Sequence, residues 1–489
     1  MKMNLKNSLL PHQARAVEKL KKYKVGALFM EQGTGKTITA LELCRIKMQA
    51  GHIEKIIWLC PCSAKESVEE EITKQAPREM LPHFVICGIE TLSTSVKANA
   101  YLYQIVKTNE CGLVIDESLL IKNHRALRTK NTIRIAKFAK YKLILNGTPT
   151  SKDERDLYSQ FYALDWRILG YQTYWSFEAH HIAYDDNIPD KVVEILNIDY
   201  LIKRIEPYTF KITKDECLNL PPKRYHTVSF YITKEQEEHY DYVAGELLFQ
   251  VDEYKAETIY QLFSALQAVV SGKRVIITQN ERQTRAFFET EPFFEKVEEN
   301  PRLQKFLDII DNTKKTIIFC HYTDEVEVVV EELNKKYGSN AAVRFDGKIS
   351  NRDRQENRKL FKSSATFLVA NLRCAGHSLN LQFCNQIIYY SNDWDLAPRL
   401  QSEDRVHRIG QEKDVEIVDL CAIDTLDDRI KKCLERKESL LESLKNKLGK
   451  DNKEVLREFF LTKQYAKKRK RHPIIYDYSN LEEENAKNI

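Results

Sequence analysis

Three short strings bring together residue types that do phosphate chemistry. Gly33-Thr34-Gly35-Lys36-Thr37 follows directly on the apolar run Val25–Met30 and precedes a helical pattern over Ile38–Ala50. A glycine-rich turn between strand and helix sets backbone N–H groups and a helix N-terminus against a phosphate. In that setting Lys36 reaches the β- and γ-phosphates of a nucleoside triphosphate, and the Thr37 hydroxyl takes a Mg²⁺ ion. Met30 stands where the strict pattern has its first glycine, so only the second half of the loop is present. The plain alternative is a glycine turn that binds nothing.

The second string is Asp116-Glu117, at the end of the apolar strand Leu113–Ile115. Carboxylates at such a strand end lie where ligands bind in open α/β sheets. Asp116 is suited to hold Mg²⁺ through water, and Glu117 to orient and polarise the water that attacks a γ-phosphate. The third string is Asp404-Arg405-Val406-His407-Arg408-Ile409-Gly410-Gln411. Arg405 and Arg408 are spaced i, i+3 and share one helix face. Guanidinium groups that fork onto phosphate stabilise charge in phosphoryl transfer, an effect of about 10³–10⁵ in rate. An exposed helix whose Glu403 and Asp404 pair with the two arginines is the other reading of the same string.

The elements that must position these residues are legible as two α/β blocks. The chain has 489 residues, 43% hydrophobic and 30% charged. That length corresponds to about three domains at ~150 residues each. The first block spans residues 1–165, with strands expected at Val25–Met30, Ile56–Cys60, Phe84–Cys87, Leu113–Asp116 and Lys142–Asn146. The second spans 300–425, with strands at Thr316–His321, Ala341–Phe345, Thr366–Ala370, Gln386–Tyr390 and Glu416–Leu420. Such runs are nearly all apolar, as in strands covered on both faces. Residues 166–299 are expected to hold helical insertions and a return strand to the first block. Within them, 166–207 reads as short helices, Leu220–Lys223 as punctuation, Thr227–Ile232 as a strand, Lys234–Ser271 as one or two amphipathic helices, and Arg285–Asn300 as a polar connector. Residues 426–489 hold a helical pattern over Asp427–Leu448, the cationic cluster Lys467–His472 and the acidic end Glu482–Glu484. No repeat is visible.

Composition narrows the classes further. No apolar run approaches the roughly 18 residues that span a bilayer, and Met1–Leu10 lacks the apolar core of a secretory signal. The expectation is an intracellular protein, cytoplasmic, or nuclear in a eukaryotic host, with no membrane partner. Net charge is only +5, which permits basic grooves without demanding a polyanion. The 11 cysteines include no Cys-x-x-Cys pair, so they read as mostly buried thiols and not as a zinc site or disulfide framework.

These strings also stand in a familiar order. Gly33–Thr37, Asp116-Glu117-Ser118, Gly147-Thr148-Pro149 and Gln401–Gln411 follow one another as do the motifs of helicase superfamily two. The closing Gln-x-x-Asp-Arg-x-His-Arg-Ile-Gly-Gln resembles the Swi/Snf family of DNA-translocating ATPases, over about residues 9–435. Leu10-Pro11-His12-Gln13 is similar to that family's adenine-recognition segment, with Gln13 as the base reader. Lys122-Asn123, Leu220–Lys223, Phe345-Asp346-Gly347, Asn380-Leu381 with Asp393-Trp394, and Asp424–Ile430 resemble further segments of it. The resemblance implies two RecA-like lobes, parallel sheets flanked by helices, with helical insertions between them in sequence. ATP and Mg²⁺ would lie between the lobes and DNA across both. Gly33, Thr34, Gly35, Lys36 and Thr37 would bind ATP. Thr37 and Asp116 would hold the metal. Lys36 and Glu117 would act from lobe one, and Arg405 and Arg408 from lobe two. Asp424–Ile430 would close the second lobe and brace the first. A compact motor of bacterial or viral type is implied, because no chromodomain, bromodomain or zinc module fits the remaining length.

The sequence also departs from that pattern. Leu119 replaces the histidine of the acidic box, Gly376-His377-Ser378 replaces Gly-Leu-Gly, and Asp395 follows Asp393-Trp394. The segment Ala64–Gln75 lacks the tryptophan common in the family's early lobe-one motif. For nucleic-acid contact, backbone N–H groups and hydroxyls at strand ends suit phosphates. Gly147 and Thr148 fit that role, as does Thr91, and each is also compatible with an ordinary loop or cap. Tyr171, Tyr174 and Trp175 are a base-stacking set or part of the core. The activity implied is ATP hydrolysis coupled to tracking duplex or branched DNA. The alternatives are a strand-separating DNA or RNA helicase and an ATP-binding nucleic-acid clamp without turnover.

Overall fold

Successive side chains of a strand point to opposite faces, and in β1 (Val25–Met30) both faces are apolar. Ala27 and Phe29 enter one hydrophobic cluster, Leu28 and Met30 another. In β2 (Lys55–Cys60), Ile57 and Leu59 join the first cluster, and Ile56, Trp58 and Cys60 the second. Strands that bury both faces belong to a parallel sheet between helical layers. β3 (Phe84–Gly88), β4 (Cys111–Asp116) and β5 (Tyr141–Asn146) extend that sheet. β6 (Ile182–Tyr184) and β7 (Val192–Ile195) form a separate antiparallel ribbon, and β8 (Thr209–Ile212) returns to the sheet edge. The order is β3-β2-β4-β5-β1-β8, with every pairing parallel. The computed structural model describes residues 4–150, 154–184, 192–249, 256–278, 287–375, 381–437, 440 and 459–462.

The chain folds into two compact units. The first holds Met1–Pro221, Gly376–Phe383 and Glu403–Lys413; the second holds Pro222–Ala375, Cys384–Ser402 and Asp414–Ile489. In the second unit β9 (Lys223–Phe230) leads, followed by the ribbon of β10 (Lys273–Thr278) and β11 (Phe287–Pro292). β12 (Thr316–Cys320), β13 (Ala342–Phe345), β14 (Phe367–Asn371), β15 (Gln386–Tyr389) and β16 (Val415–Ala422) complete a second parallel sheet, ordered β13-β14-β12-β15-β16-β9. The helices Lys234–Phe249 and Ala256–Val270 belong to this unit. Tyr240, Val243, Leu262, Phe263 and Leu266 from them share one core with Ile318, Val369 and Ile388 of the sheet. The molecule therefore has two parallel α/β halves, as the alternating runs imply, and they are the two RecA-like lobes that the resemblance implies.

Several local expectations need correction. Arg285–Asn300 is not merely a connector, because β11 runs through it. Its Phe288, with Val275 and Ile277 of β10, packs on the second core, a period-2 pattern masked by Glu289 and Glu291. The strand expected at Thr227–Ile232 begins at Lys223. It is an edge strand with mostly exposed residues, so apolar content does not mark its start. Residues 166–207 hold the β6–β7 ribbon as well as helices. Tyr171 and Tyr174 pack on the core, whereas Trp175 is 80% exposed. Seven cysteines are buried, Cys62 is exposed and three are intermediate. No group of three metal-ligating side chains occurs, and no helix is long and apolar enough to cross a membrane, among the described residues. Lys467–His472, Glu482–Glu484 and Gly376–Asn380 lie outside the described residues, as does most of the helical pattern beyond Lys437.

Candidate nucleotide-binding site

Register places the first two strings and the Gly147-Thr148 turn at one sheet edge. Leu28 of β1 pairs with Leu145 of β5, and Leu145 pairs with Asp116 of β4. The chain beyond Met30, beyond Asp116 and beyond Asn146 therefore leaves three adjacent strands at their C-terminal ends, where open α/β sheets bind ligands.

The loop Glu31–Gly35 is built by two glycines with positive φ, Gly33 at 84° and Gly35 at 91°. A Cβ on Gly35 would fall 2.2 Å from Nε2 of Gln13, and one on Gly33 would fall 2.8 Å from Cβ of Arg408. Both positions are therefore left-handed and crowded, which only glycine meets without strain. The Thr34 hydroxyl donates to the Glu31 carbonyl at 2.7 Å, closing the turn. The Thr34 carbonyl receives Nε2 of Gln13 at 3.0 Å and lies 2.8 Å from Nε2 of His12. Gln13 is buried, and its Oε1 accepts from the N–H of Leu10, the N-cap of its own helix Pro11–Leu20, at 2.9 Å, so one end of its amide caps that helix while the other holds the loop. Helix Lys36–Gln49 starts at once, with Gly35 as its N-cap. Its free N–H groups point back over the loop.

Lys36 donates from Nζ to the Met30 carbonyl at 2.9 Å. Burial lowers its amine pKa; Glu117 and Asp116 pull it back up, and Arg405 pushes it down. Asp116 is pushed up to about 6, first by burial and then by the Glu117 carboxylate, with Lys36 opposing. Its Oδ1 accepts the Glu117 N–H at 3.1 Å. Glu117 adopts φ 52° and ψ 56°, a left-handed conformation costly for a residue with a side chain. Strain of that kind is retained where surrounding structure fixes a side chain in a required place.

Arg405 belongs to the same unit and the same electrostatic neighbourhood. Its Nη2 donates to Oε1 of Gln32 at 3.1 Å. Burial lowers the guanidinium pKa, Arg408 adds to that, and Glu117, Asp404 and Asp116 oppose it. Arg408 lies beyond the end of the helix Leu396–Val406 that carries Arg405, so the two do not share a helix face as their i, i+3 spacing suggests; it sits beside Gly33 and is also lowered by burial, with Glu71 and Asp404 opposing. The structure thus brings Gln13, Gly33, Thr34, Gly35, Lys36, Asp116, Glu117, Arg405 and Arg408 into one neighbourhood. Thr37 follows in the first turn of the helix. Gly147 donates its N–H to Oδ1 of Asn146 at 2.7 Å, and Thr148 beside it is exposed. Thr91 opens the short helix Thr91–Thr94 that follows β3, with its hydroxyl 3.5 Å from the Cys62 sulfur.

The donor set fits a triphosphate with a divalent ion: helix N–H groups, an amine, a hydroxyl, a paired carboxylate and two guanidinium groups. A further donor is present in Asn146. Its Nδ2 is buried and has no hydrogen-bond partner in the structure. Sequence reasoning missed Asn146, Gln32 and Lys214. Lys214 reaches Asp404 across 190 residues of chain, so no local pattern marks it.

The chain matches the SNF2-related domain over residues 12–281 and the helicase conserved C-terminal domain over residues 299–410. It is 24% identical over 457 residues to the uncharacterized ATP-dependent helicase YqhH of Bacillus subtilis, covering 90% of this chain and 80% of that protein. It is 24% identical over 433 residues to the TATA-binding protein-associated factor MOT1 of Saccharomyces cerevisiae, covering 76% of this chain but only 23% of that much longer protein. Among solved structures it aligns with the SWI2/SNF2 ATPase core of Sulfolobus solfataricus in complex with dsDNA. The TM-score is 0.39 and the identity 21%, over 93% of this chain and 95% of that one.

Proposed function

The chain belongs to the SNF2-related family, and from that premise we propose that it is a DNA-dependent ATPase: a motor that hydrolyses ATP to ADP and phosphate while tracking duplex or branched DNA. The observation that carries this reading is the convergence of Lys36, Asp116, Glu117 and Arg405, with Arg405 tethered to Gln32 of the phosphate loop.

Each residue has a part in that reaction. The N–H groups of the loop and helix cradle the phosphates. Lys36 exchanges its Met30 carbonyl partner for a phosphate oxygen. Thr37 and Asp116 would hold Mg²⁺, which when bound neutralises charge on the phosphate oxygens. Glu117 orients the attacking water and accepts its proton. Arg405 and Arg408 meet the negative charge of the transferring phosphoryl group. Gln13 couples adenine recognition to loop position, because its amide already holds the Thr34 carbonyl. Thr148 offers an exposed hydroxyl to a nucleic-acid phosphate, and the Gly147 N–H would reach the same phosphate by giving up Oδ1 of Asn146.

The test is steady-state phosphate release with single-stranded DNA, duplex DNA, forked DNA and RNA side by side. Duplex or branched DNA is expected to stimulate turnover most, and affinity should fall with salt in proportion to the phosphates neutralised. Lys36→Ala should abolish turnover. Undiminished turnover in that variant removes the assignment, and turnover indifferent to every nucleic acid removes the motor. Comparison of strand displacement on forked DNA with triplex displacement on duplex separates tracking from strand separation.

A further inference from the structure

One pair of buried polar side chains in the first unit lies outside the phosphate loop and the arginine strings. Ser118, the residue after Glu117, is fully buried, and its hydroxyl donates to Oε1 of Gln160 at 2.6 Å. Gln160 is also fully buried, and its Nε2 donates to the Pro149 carbonyl at 2.9 Å and to the Asp156 carbonyl at 2.8 Å. A continuous chain of hydrogen bonds therefore runs from the residue beside Glu117 to the residue after Thr148.

The setting makes this chain more than packing. Gln160 sits in helix Asp156–Asp165, whose Leu157, Phe161 and Leu164 anchor it in the apolar core. An amide among such neighbours is costly to bury unless its polar atoms are satisfied. An apolar side chain would fill the same space without that demand. Here the amide is engaged at both ends, and its partners lie in two different segments, one following β4 and one following β5. The next residue, Leu119, has no polar side-chain atom with which to make such a bond. Glu117 meanwhile is held in a left-handed backbone conformation, so a small displacement of Ser118 moves the adjacent carboxylate.

We propose that Ser118 and Gln160 are positioning residues that link the Gly147–Pro149 turn to Glu117, so that a nucleic-acid phosphate on that turn sets the carboxylate for hydrolysis. This rests on the motor reading above. The experiment measures phosphate release by the full chain with and without the polynucleotide that stimulates it most, for wild type, Gln160→Leu, Ser118→Ala and the double variant. Thermal melts confirm folding, and nucleic-acid affinity is measured without nucleotide. The ratio of stimulated to basal turnover should fall about fivefold or more in each single variant, the low end of coupling between two sites. Nucleic-acid affinity should not change, and the double variant should be no worse than the singles. If Gln160→Leu does not fold, Ser118→Ala, which removes one buried oxygen, decides. A wild-type ratio in folded variants overturns the proposal, including the case where melting temperature and basal turnover drop together. Absence of stimulation in wild type is a separate result: it fails the motor reading itself and the link with it.

Discussion

The Lys214 ammonium lies against the Asp404 carboxylate and donates to the His407 carbonyl at 3.0 Å. Its own backbone N–H donates to Oε2 of Glu31 at 2.8 Å. One residue thus ties the arginine string to the start of the phosphate loop. The His407 ring holds the same string to a different segment, with Nε2 at 2.8 Å from the Pro221 carbonyl. The side chains of Lys214 and Asp404 are 5% and 12% exposed. Removing one member of so buried a pair leaves a charge without its counter-ion, at a cost of about 3–5 kcal/mol. Lys214→Ala should therefore lose stability in denaturant melts and turnover in phosphate-release assays, the second because Arg405 follows Asp404. Adding Asp404→Asn to Lys214→Ala should cost less than the sum of the two, since both break one contact. Additive losses would show that the pair does not act as a unit.

Glu117→Gln isolates the chemical step. Glutamine keeps the shape and the backbone N–H that Asp116 accepts at 3.1 Å, but it cannot take a proton from water. Turnover should fall by about 10²–10⁴, the usual contribution of a positioned general base. Nucleotide affinity, read with a fluorescent ATP analogue, should be retained or increased by loss of a like charge near the phosphates. Wild-type turnover in this variant would move the base role to another residue.

Asp116 makes the site costly to the fold. Burial and Glu117 raise its carboxyl to about 6, from an ordinary value near 3.8. The folded state therefore binds this proton more tightly than the unfolded state does. Its contribution to stability is fully present below about pH 4 and is lost as pH rises through 6. By pH 8 the group is ionised and works against the fold. Asp116→Asn should be inactive yet more stable than wild type at pH 8, with the difference vanishing towards pH 4. Urea melts across that range check it. A variant no more stable at pH 8 would mean that Lys36 and Arg405 fully offset the carboxylate.

These relationships differ in how far the sequence disclosed them. The strands leading to Met30 and Asp116 are apolar runs because both faces are buried, and that pattern is local. Gly33–Thr37 is equally local, since two left-handed glycines and a helix start must be adjacent in the chain. Lys214 is different: in sequence it resembles any lysine of a polar turn, and its meaning comes from Asp404, 190 residues away. Gln160 sits in a helix otherwise rich in core residues, where one amide attracts no attention until its partners are known. The ribbon of β10 and β11 is hidden for a third reason: alternating glutamates make the half-buried β11 look like a solvated link.

Asp393 in the second unit has the opposite electrostatics to Asp116. Its side chain is fully buried, which raises a carboxyl pKa. The opposing effects are larger: His321 lies 3.5 Å away, and Nε of Arg373 donates at 2.9 Å. Together they hold Asp393 at about 2, below its ordinary 3.8. A depressed carboxyl stabilises the fold above its unfolded value and loses that contribution as pH falls through the folded one. The stabilisation should be complete above pH 4, amount to about 2 kcal/mol and drain away between pH 4 and pH 2. Asp393→Asn removes the titrating group, so the stability gap between wild type and variant should narrow on acidification through that window. Urea melts of both proteins at pH 5 and pH 3, with sulfate to keep the fold populated, measure the gap. A gap unchanged between these two values would assign the acid sensitivity of this unit to other carboxylates, and would leave Arg373, whose side chain is 61% exposed, as a surface partner that contributes little.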